Sequence, residues 1–582
     1  MAVEKIVSPG VFTKEVDQSF LPAAVAGIGA AIIGPTSRGP AGIPAVVTSY
    51  SEFLQKFGDY FQSGSGADLN SYKYLTNYAA QEYLKYADTL TVVRILNEGH
   101  SVANATVTSS GVGNSFTLYT LSSGADQNSA GTEGANNVLV SGSKNNLRWE
   151  VVSVNNARGT FNLQIRRGDD TSKAKNILET FNNVSLDPNS PDYIAKIVGD
   201  QYYTLTGSGT SDPYLKLSGD YPNKSRYVRV EVTKKTLNYL DENGTIRLNS
   251  LSASLPQVVS GTFSGGADGF VQHPRRMYET ITNDNTQGFD LSGGGASGST
   301  AYNDAIKLLA NTDEYDFNLL ALPGLVDTFA NHQGVITTAL DMIENRGDAF
   351  LIIDPAAYNE TVANVVVRGN ARNTNYAAEY WPWVKLDDQD LGRNVWVPAG
   401  TVIPGVYAFN DRVAAPWFAP AGLNRGGIDA AVQVERKLTQ SNRDTLYDAN
   451  INPIASFPNS GIVVYGQKTL QKKSSALDRV NVRRLLIAAK KFIASASKFL
   501  VFEQNTTVTR NRFLGIVDPY FENVQQRQGL YAFKVVMDET LNTPDVIDRN
   551  QLVGQIYLQP TRTAEFILID FNILPTGAAF PD

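Results

Sequence analysis

Four short apolar runs constrain this chain more than anything else in it: Ala30 to Ile33, Thr89 to Leu96, Phe317 to Leu322, and Ala349 to Ile353. Each has the length of a strand and reads as a strand buried in a sheet rather than lying on its surface. Helical patterns accompany them. Ser49 is an N-cap for a short helix to Phe57, with Phe53, Leu54 and Phe57 on one side. Leu75, Tyr78, Ala79, Tyr83 and Tyr86 repeat at helical spacing within Tyr72 to Tyr86, and Ala301 to Leu309 and Thr337 to Ile343 suggest two further helices. Strand and helix patterns in this order predict an α/β (α+β) multidomain chain.

Between the second and third runs the composition changes. Residues 100 to about 260 are rich in Ser, Asn, Gly and Thr, and their strand patterns alternate apolar with polar residues. Leu147 to Val151 and Phe161 to Ile165 alternate in this way around a turn at Asn155 to Gly159, and Tyr227 to Val232 does the same. The expected organisation is an extended N-terminal arm (1–20), the N-terminal part of a mixed core (21–98), and a β-rich inserted outer domain (99–265). A central α/β domain (266–460) and a C-terminal domain (461–582) follow. Ser292 to Ser299 reads as a flexible Gly- and Ser-rich loop.

The two ends are the least self-sufficient parts. Ser8-Pro-Gly-Val-Phe12 opens with a turn, and Val11 to Val16 has β-forming residues with little local packing. Such a segment suits strand addition to another molecule, an edge strand of its own domain, or a disordered terminus. Near the other end, Asp478 is a cap for a helix to about Phe502. Its stripe is Val482, Leu485, Leu486, Ala489, Ile493, Ala496 and Leu500. Arg479, Arg483, Arg484, Lys490, Lys491 and Lys498 lie off that stripe, as a solvated face or a dock for an acidic partner. Ala564 to Leu574 reads as a strand with Ile567, Ile569, Phe571 and Ile573 on one face, and it needs a sheet to join.

Several functions are disfavoured by what the chain lacks. It has no Cys, hence no disulfide or thiolate chemistry, and only three His (His100, His273, His332). A net charge of −7 argues against nucleic-acid binding. Met1 to Lys14 has no apolar signal region, and no stretch approaches the roughly 20 apolar residues of a membrane span. Gly27-Ile-Gly29 lacks a third small residue at Ile32, and Gly34 to Gly39 is followed by Pro40 and Ala41 where a phosphate loop needs Lys and Ser or Thr. Asp387, Asp388 and Asp390 near Trp381 and Trp383 form the one cluster that suggests glycan chemistry or a hard-cation site, and no second motif supports a catalytic pair. No cofactor, metal site or catalytic set is expected.

An ordered series of segments carries a resemblance to a known family. Ser8-Pro-Gly-Val-Phe12, Ile33-Gly-Pro-Thr-Ser-Arg-Gly-Pro40, Phe53 to Gly58 and Tyr86 to Arg94 come first. Phe181 to Pro188, Gly265 to Gly269, Leu322-Pro-Gly324, Trp381-Pro-Trp383, Val397 to Gly400 and Ala414 to Trp417 follow. Ile451 to Ile454, Gly461 to Leu470 and Asn481 to Leu485 close it, with Tyr465 and Lys468 where many members carry Trp and Arg. In this order the segments resemble contractile phage tail sheath proteins, the insert least closely.

That resemblance implies a structural subunit, not an enzyme. It would polymerise as stacked hexameric rings around the tail tube and contract to drive the tube through the host envelope during genome delivery. The implied partners are further copies of itself, the tube protein, and the baseplate and tail terminator proteins; the implied location is the virion tail, assembled in the host cytoplasm. Val11, Phe12, Val16, Ile567, Ile569, Phe571 and Ile573 would make inter-subunit arm contacts. Arg479, Arg483, Arg484, Lys490, Lys491 and Lys498 would face the tube. The sheath of an R-type tailocin or another contractile injection system is the alternative within the class; a glycan-binding or glycan-processing tail protein is the alternative outside it.

Overall fold

The computed structural model describes residues 29–63, 70–111, 113–129, 132–135, 137–269, 281–292, 298–458 and 460–566. The arm residues Val11, Phe12 and Val16, the strand residues Ile567, Ile569, Phe571 and Ile573, His273 and most of the Ser292–Ser299 loop lie outside these.

All four apolar runs enter one eight-stranded sheet. Its strands, in chain order, are β1 (Gly29–Gly34), β2 (Ala45–Val47), β3 (Leu90–Arg94), β4 (Phe317–Val326), β5 (Phe350–Asp354), β6 (Ala377–Trp381), β7 (Ile451–Phe457) and β8 (Gly461–Val464). They lie in the order β2-β3-β1-β4-β5-β6-β7-β8. The six inner strands are parallel, and the edge strands β2 and β8 are antiparallel to their neighbours. Strand β1 lies against β4, Ala31 opposite Leu320, although the insert separates them in sequence.

The inner strands are apolar at consecutive positions because both faces are covered. Ala30, Ile32, Leu319, Phe350, Ile352, Ala378 and Tyr380 face one core, with helices α1 (Leu75–Leu84) and α4 (Ala399–Val413). Ala31, Ile33, Leu320, Leu351, Ile353 and Ala377 face the other, with α2 (Gly298–Leu308) and α3 (Ala330–Arg346). Helix α1 is shorter than its aromatic periodicity suggests, because Tyr72 belongs to a hairpin strand opposite Phe61. Helix α3 is longer than its pattern; Gly347, at φ +67, ends it by donating its N–H to Ile343 O.

The polar region between β3 and β4 folds into antiparallel sheets. One holds strands Leu147–Asn155, Thr160–Arg167, Ile177–Ser185 and Ser260–Thr262; the other holds His100–Thr108, Asn114–Ser123, Val228–Val232 and Ala267–Asp268. The turn at 155–160 pairs Asn155 with Thr160, as its sequence suggests. The two sheets share a core, in which Phe116 stacks on Phe161 at 5.5 Å. The chain enters this unit at His100 and leaves it at Asp268, and those two residues pair with each other. Entry and exit on adjacent strands let the whole unit sit on the core as an insertion without breaking the main sheet.

A third piece of this region straps the insert to the core. The hairpin Tyr202–Thr206/Tyr214–Ser218 carries its tip onto α2. There Ser208 Oγ donates to Asp304 Oδ2 at 2.6 Å, Gly209 N–H donates to Asp304 Oδ1 at 3.0 Å, and Lys307 Nζ donates to Thr210 O at 2.5 Å. Asp304 is buried, so its carboxylate is held by these donors rather than by water. Asp304→Ala is expected to raise amide hydrogen exchange across 202–218 at least tenfold while leaving α2 protected, as read by mass spectrometry.

Candidate inter-subunit site at the C-terminal end

Residues 480–560 build a helical hairpin and a small sheet. Helix α5 (Val480–Lys498) turns back into α6 (Thr507–Gln526), and strands β9 (Leu530–Val536) and β10 (Gln555–Pro560) pair antiparallel. Helix α5 starts after Arg479, one residue later than an Asp478 cap implies, because Ala476–Asp478 form a separate 3-10 turn capped by Ser475. It also stops at Lys498 rather than Phe502; the chain reverses there, and Thr506 caps α6 by accepting from Thr509 N–H.

The basic residues of α5 do not form the open face that their spacing suggests. Arg484 is buried, with Nη1 and Nη2 on Asp411 Oδ1 and Oδ2 at 2.9 and 2.5 Å and its guanidinium 4.6 Å from the Tyr407 ring. Burial works against that charge, but the Asp411 carboxylate outweighs it and holds the pKa above its ordinary value. Arg483 is buried over the Tyr376 ring at 3.7 Å. Lys491 is buried between Asp316 and Asp348, the latter at 3.0 Å. Lys490 and Lys498 are exposed; Lys490 reaches Gly347 O at 3.3 Å, and Lys498 lies 3.3 Å from Asp313. The helix is wedged between the main domain and α6, so a residue off its apolar stripe still meets protein. The sequence pattern shows one stripe and is silent about a second neighbour.

Arg479 has another role. Its Nε and Nη2 donate to Glu565 Oε1 and Oε2 at 2.8 and 2.9 Å, a two-point ion pair across 86 positions of sequence. Tyr447 O–H donates to Glu565 Oε2 at 2.8 Å, and Gln467 Nε2 donates to Glu565 Oε1 at 3.0 Å. Burial would raise the Glu565 carboxyl, but these donors, Arg479 foremost, hold it below the ordinary carboxylate range. Glu565 and Tyr447 do not stand out in the sequence, and Gln467 does so only as part of the segment Gly461 to Leu470, because nothing there pairs positions so far apart.

The small sheet is the most open β structure near this end. Ile556, Leu558 and Pro560 alternate with exposed Gln555, Tyr557 and Gln559, and with Phe533 and Val535 they turn inward toward α6. Phe533 lies 5.6 Å from Phe521 of that helix. Those inward residues remain only half-buried, and Tyr531 and Tyr557 on the outside are 66% and 57% exposed. Among the described residues neither β9 nor β10 has a second strand partner, so each presents an outer edge. This strand is not among those expected from the sequence, although Gln555 to Gln559 alternates polar with apolar residues; nothing in the sequence shows the openness of both edges.

The glycan cluster is dismantled by the fold. Trp381 and Trp383 are 1% and 2% exposed, so neither offers a platform for a sugar ring. Asp388 is buried, accepting from Tyr78 O–H at 2.5 Å with Lys73 Nζ at 3.9 Å. Among the described residues no group of three or more His, Asp or Glu is placed to hold a metal, and no helix is long and apolar enough to cross a membrane.

Comparison with known proteins places this architecture. Residues 295–470 match the model of the phage tail sheath protein central domain, and residues 472–573 match the phage tail sheath C-terminal domain. A tail sheath protein of Vibrio phage KVP40 is 40% identical over 230 residues, 40% of this chain and 34% of that protein. One from Enterobacteria phage T4 is 40% identical over 247 residues, 42% of this chain and 36% of that protein. The matched part thus spans about a third of the length of these relatives. The crystal structure of a sheath tail protein from Listeria innocua shares the fold, with a TM-score of 0.52 at 12% identity over 92% of this chain and 96% of that one. Matches to the central and C-terminal domains of phage tail sheath proteins thus follow one another in order over residues 295–573.

Proposed function

We propose that this chain is the structural subunit of a contractile tail sheath, polymerising as stacked hexameric rings around a tail tube and joined to its neighbours by exchanged strands. The observation that carries the strand exchange is the β9–β10 sheet, with two open edges and an inner face only half covered. An added strand on each edge would satisfy the free backbone groups and finish covering Phe533, Val535, Ile556 and Leu558. The alternating Ile567, Ile569, Phe571 and Ile573 match the inward period of that sheet, and Val11 to Val16 supplies β-forming residues for a second addition.

Backbone hydrogen bonds between subunits would keep the mesh connected while the globular bodies move. Contraction then draws on the free-energy difference between two lattice states, released when the baseplate triggers, and the part played is mechanical rather than catalytic. For the tube, the exposed Lys490 and Lys498 are the members of the basic set left to make screened, releasable contacts. The setting is the tail of a virion.

Negative-stain electron microscopy of the purified full chain, with and without residues 1–20 and 567–582, tests this reading. Tubular polymers are expected from the full chain and only dispersed particles from either truncation. Unchanged tubes from the truncated chains would overturn strand exchange as the joint.

A further inference from the structure

We propose that Arg479 and Glu565 form a clamp at the root of the C-terminal arm, a pair of positioning residues that fixes where the arm leaves the body and so which neighbour it reaches. This rests on the strand-exchange reading above.

Residues 561–566 have no regular secondary structure, and most of their side chains are exposed. A connector of that kind is normally free, yet this one is fastened near its end by a carboxylate that takes donors from three separate places. Tyr447 comes from the helix Gln440–Asp448, Gln467 from the segment after β8, and Arg479 from the start of α5. Gln467 Nε2 also donates to Thr563 Oγ1 at 2.6 Å. Lys468 closes the site from behind, its Nζ donating to Tyr447 O at 2.7 Å and lying 4.4 Å from the Tyr447 ring. The Arg479 fork needs both carboxylate oxygens in one plane, so it sets the direction of the backbone at 565 as well as its place.

The consequence is geometric. From the clamp, the nine residues to 574 would reach at most roughly 30 Å if extended. If the clamp opens, the fixed point retreats to Thr561, whose Oγ1 donates to Gln528 O at 2.7 Å, and about four more residues of slack, some 13 Å, are added. The same strand then searches a larger volume, and its effective concentration at the neighbour's sheet falls. The clamp therefore acts on assembly without adding a contact between subunits.

The test uses the full chain and measures the critical concentration for polymerisation together with hydrogen exchange of residues 561–566. Glu565→Arg and Arg479→Glu each place like charges together. Each is expected to raise the critical concentration about fivefold or more and to speed exchange of 561–566, with the thermal melting of the body unchanged. The double variant Arg479→Glu/Glu565→Arg restores the pair, and Gln467 Oε1, buried without a partner, is available to accept from the new arginine; both readouts should return toward the parent values. Deleting 567–582 separates the two ideas: if tubes persist without the arm, the strand-exchange reading fails. If tubes need the arm but both single variants polymerise like the parent, or if exchange of 561–566 does not change, the clamp is overturned. Failure of the double variant to restore assembly, with both single variants impaired, would equally show that each residue acts alone.

Discussion

Asp411→Ala should destabilise the core that joins α4 to α5 by about 3–5 kcal/mol, because it leaves a guanidinium buried without its counter-charge. Arg484 is only 5% exposed and gives two donors to Asp411, and the Tyr407 ring beneath it cannot replace a carboxylate. Arg484→Met removes the charge together with the demand for a partner. It keeps most of the packing volume and is expected to cost far less, about 1 kcal/mol or under. The double variant should resemble Arg484→Met rather than the sum. Urea midpoints of all four proteins, followed by hydrogen exchange in Ala399–Val413, measure this; costs that simply add would show that the pair is not coupled.

Glu379→Gln should have the opposite sign, stabilising the chain at neutral and alkaline pH. Glu379 stands in the middle of β6, fully buried, and neither carboxylate oxygen has a hydrogen-bond partner. Burial, with Asp327 nearby adding repulsion, pushes its pKa from 4.5 to about 8. The folded chain therefore holds this proton where the unfolded chain has released it. The stability it allows is complete below pH 4.5 and is lost progressively as the pH rises toward 8. At pH 7 the loss amounts to roughly 3 kcal/mol, and an amide, which does not ionise, escapes it. Asp354, raised to about 7 by burial with only Gly400 N–H to offset it, tilts the curve the same way and remains in the variant. Melting temperature against pH should accordingly fall less steeply for Glu379→Gln between pH 5 and 8; parallel curves would mean that Glu379 is not protonated in the fold.

Both predictions concern charges that the sequence could not place. Glu379 sits between Ala378 and Tyr380 in a strand with no polar run around it, and only the sheet order shows it covered on all sides. In α5 the stripe through Val482, Leu485 and Ala489 was legible, and these residues are buried. The basic residues beside the stripe were legible as a face, but Arg483, Arg484 and Lys491 face other parts of the same chain. A helical period reports one buried side. When a helix is inserted between two layers, the second side is set by the layers.

The sequence by itself determined four of the eight strands of the main sheet, through apolar runs too short for helices and too continuous for a surface. It also determined the polar, alternating character of the insert, the cap at Ser49, and, through its ordered segments, the resemblance to tail sheath proteins. These are local properties, written in neighbouring residues by side-chain period and turn chemistry. Only the tertiary structure decided that β1 lies against β4 across the whole insert, that Asp304 holds the insert's hairpin, and that Arg479 meets Glu565. It likewise decided that β9 and β10 stand as a pair with open edges. Each of these joins residues far apart in the chain, and such a pairing depends on where the backbone returns in space, which no local pattern encodes.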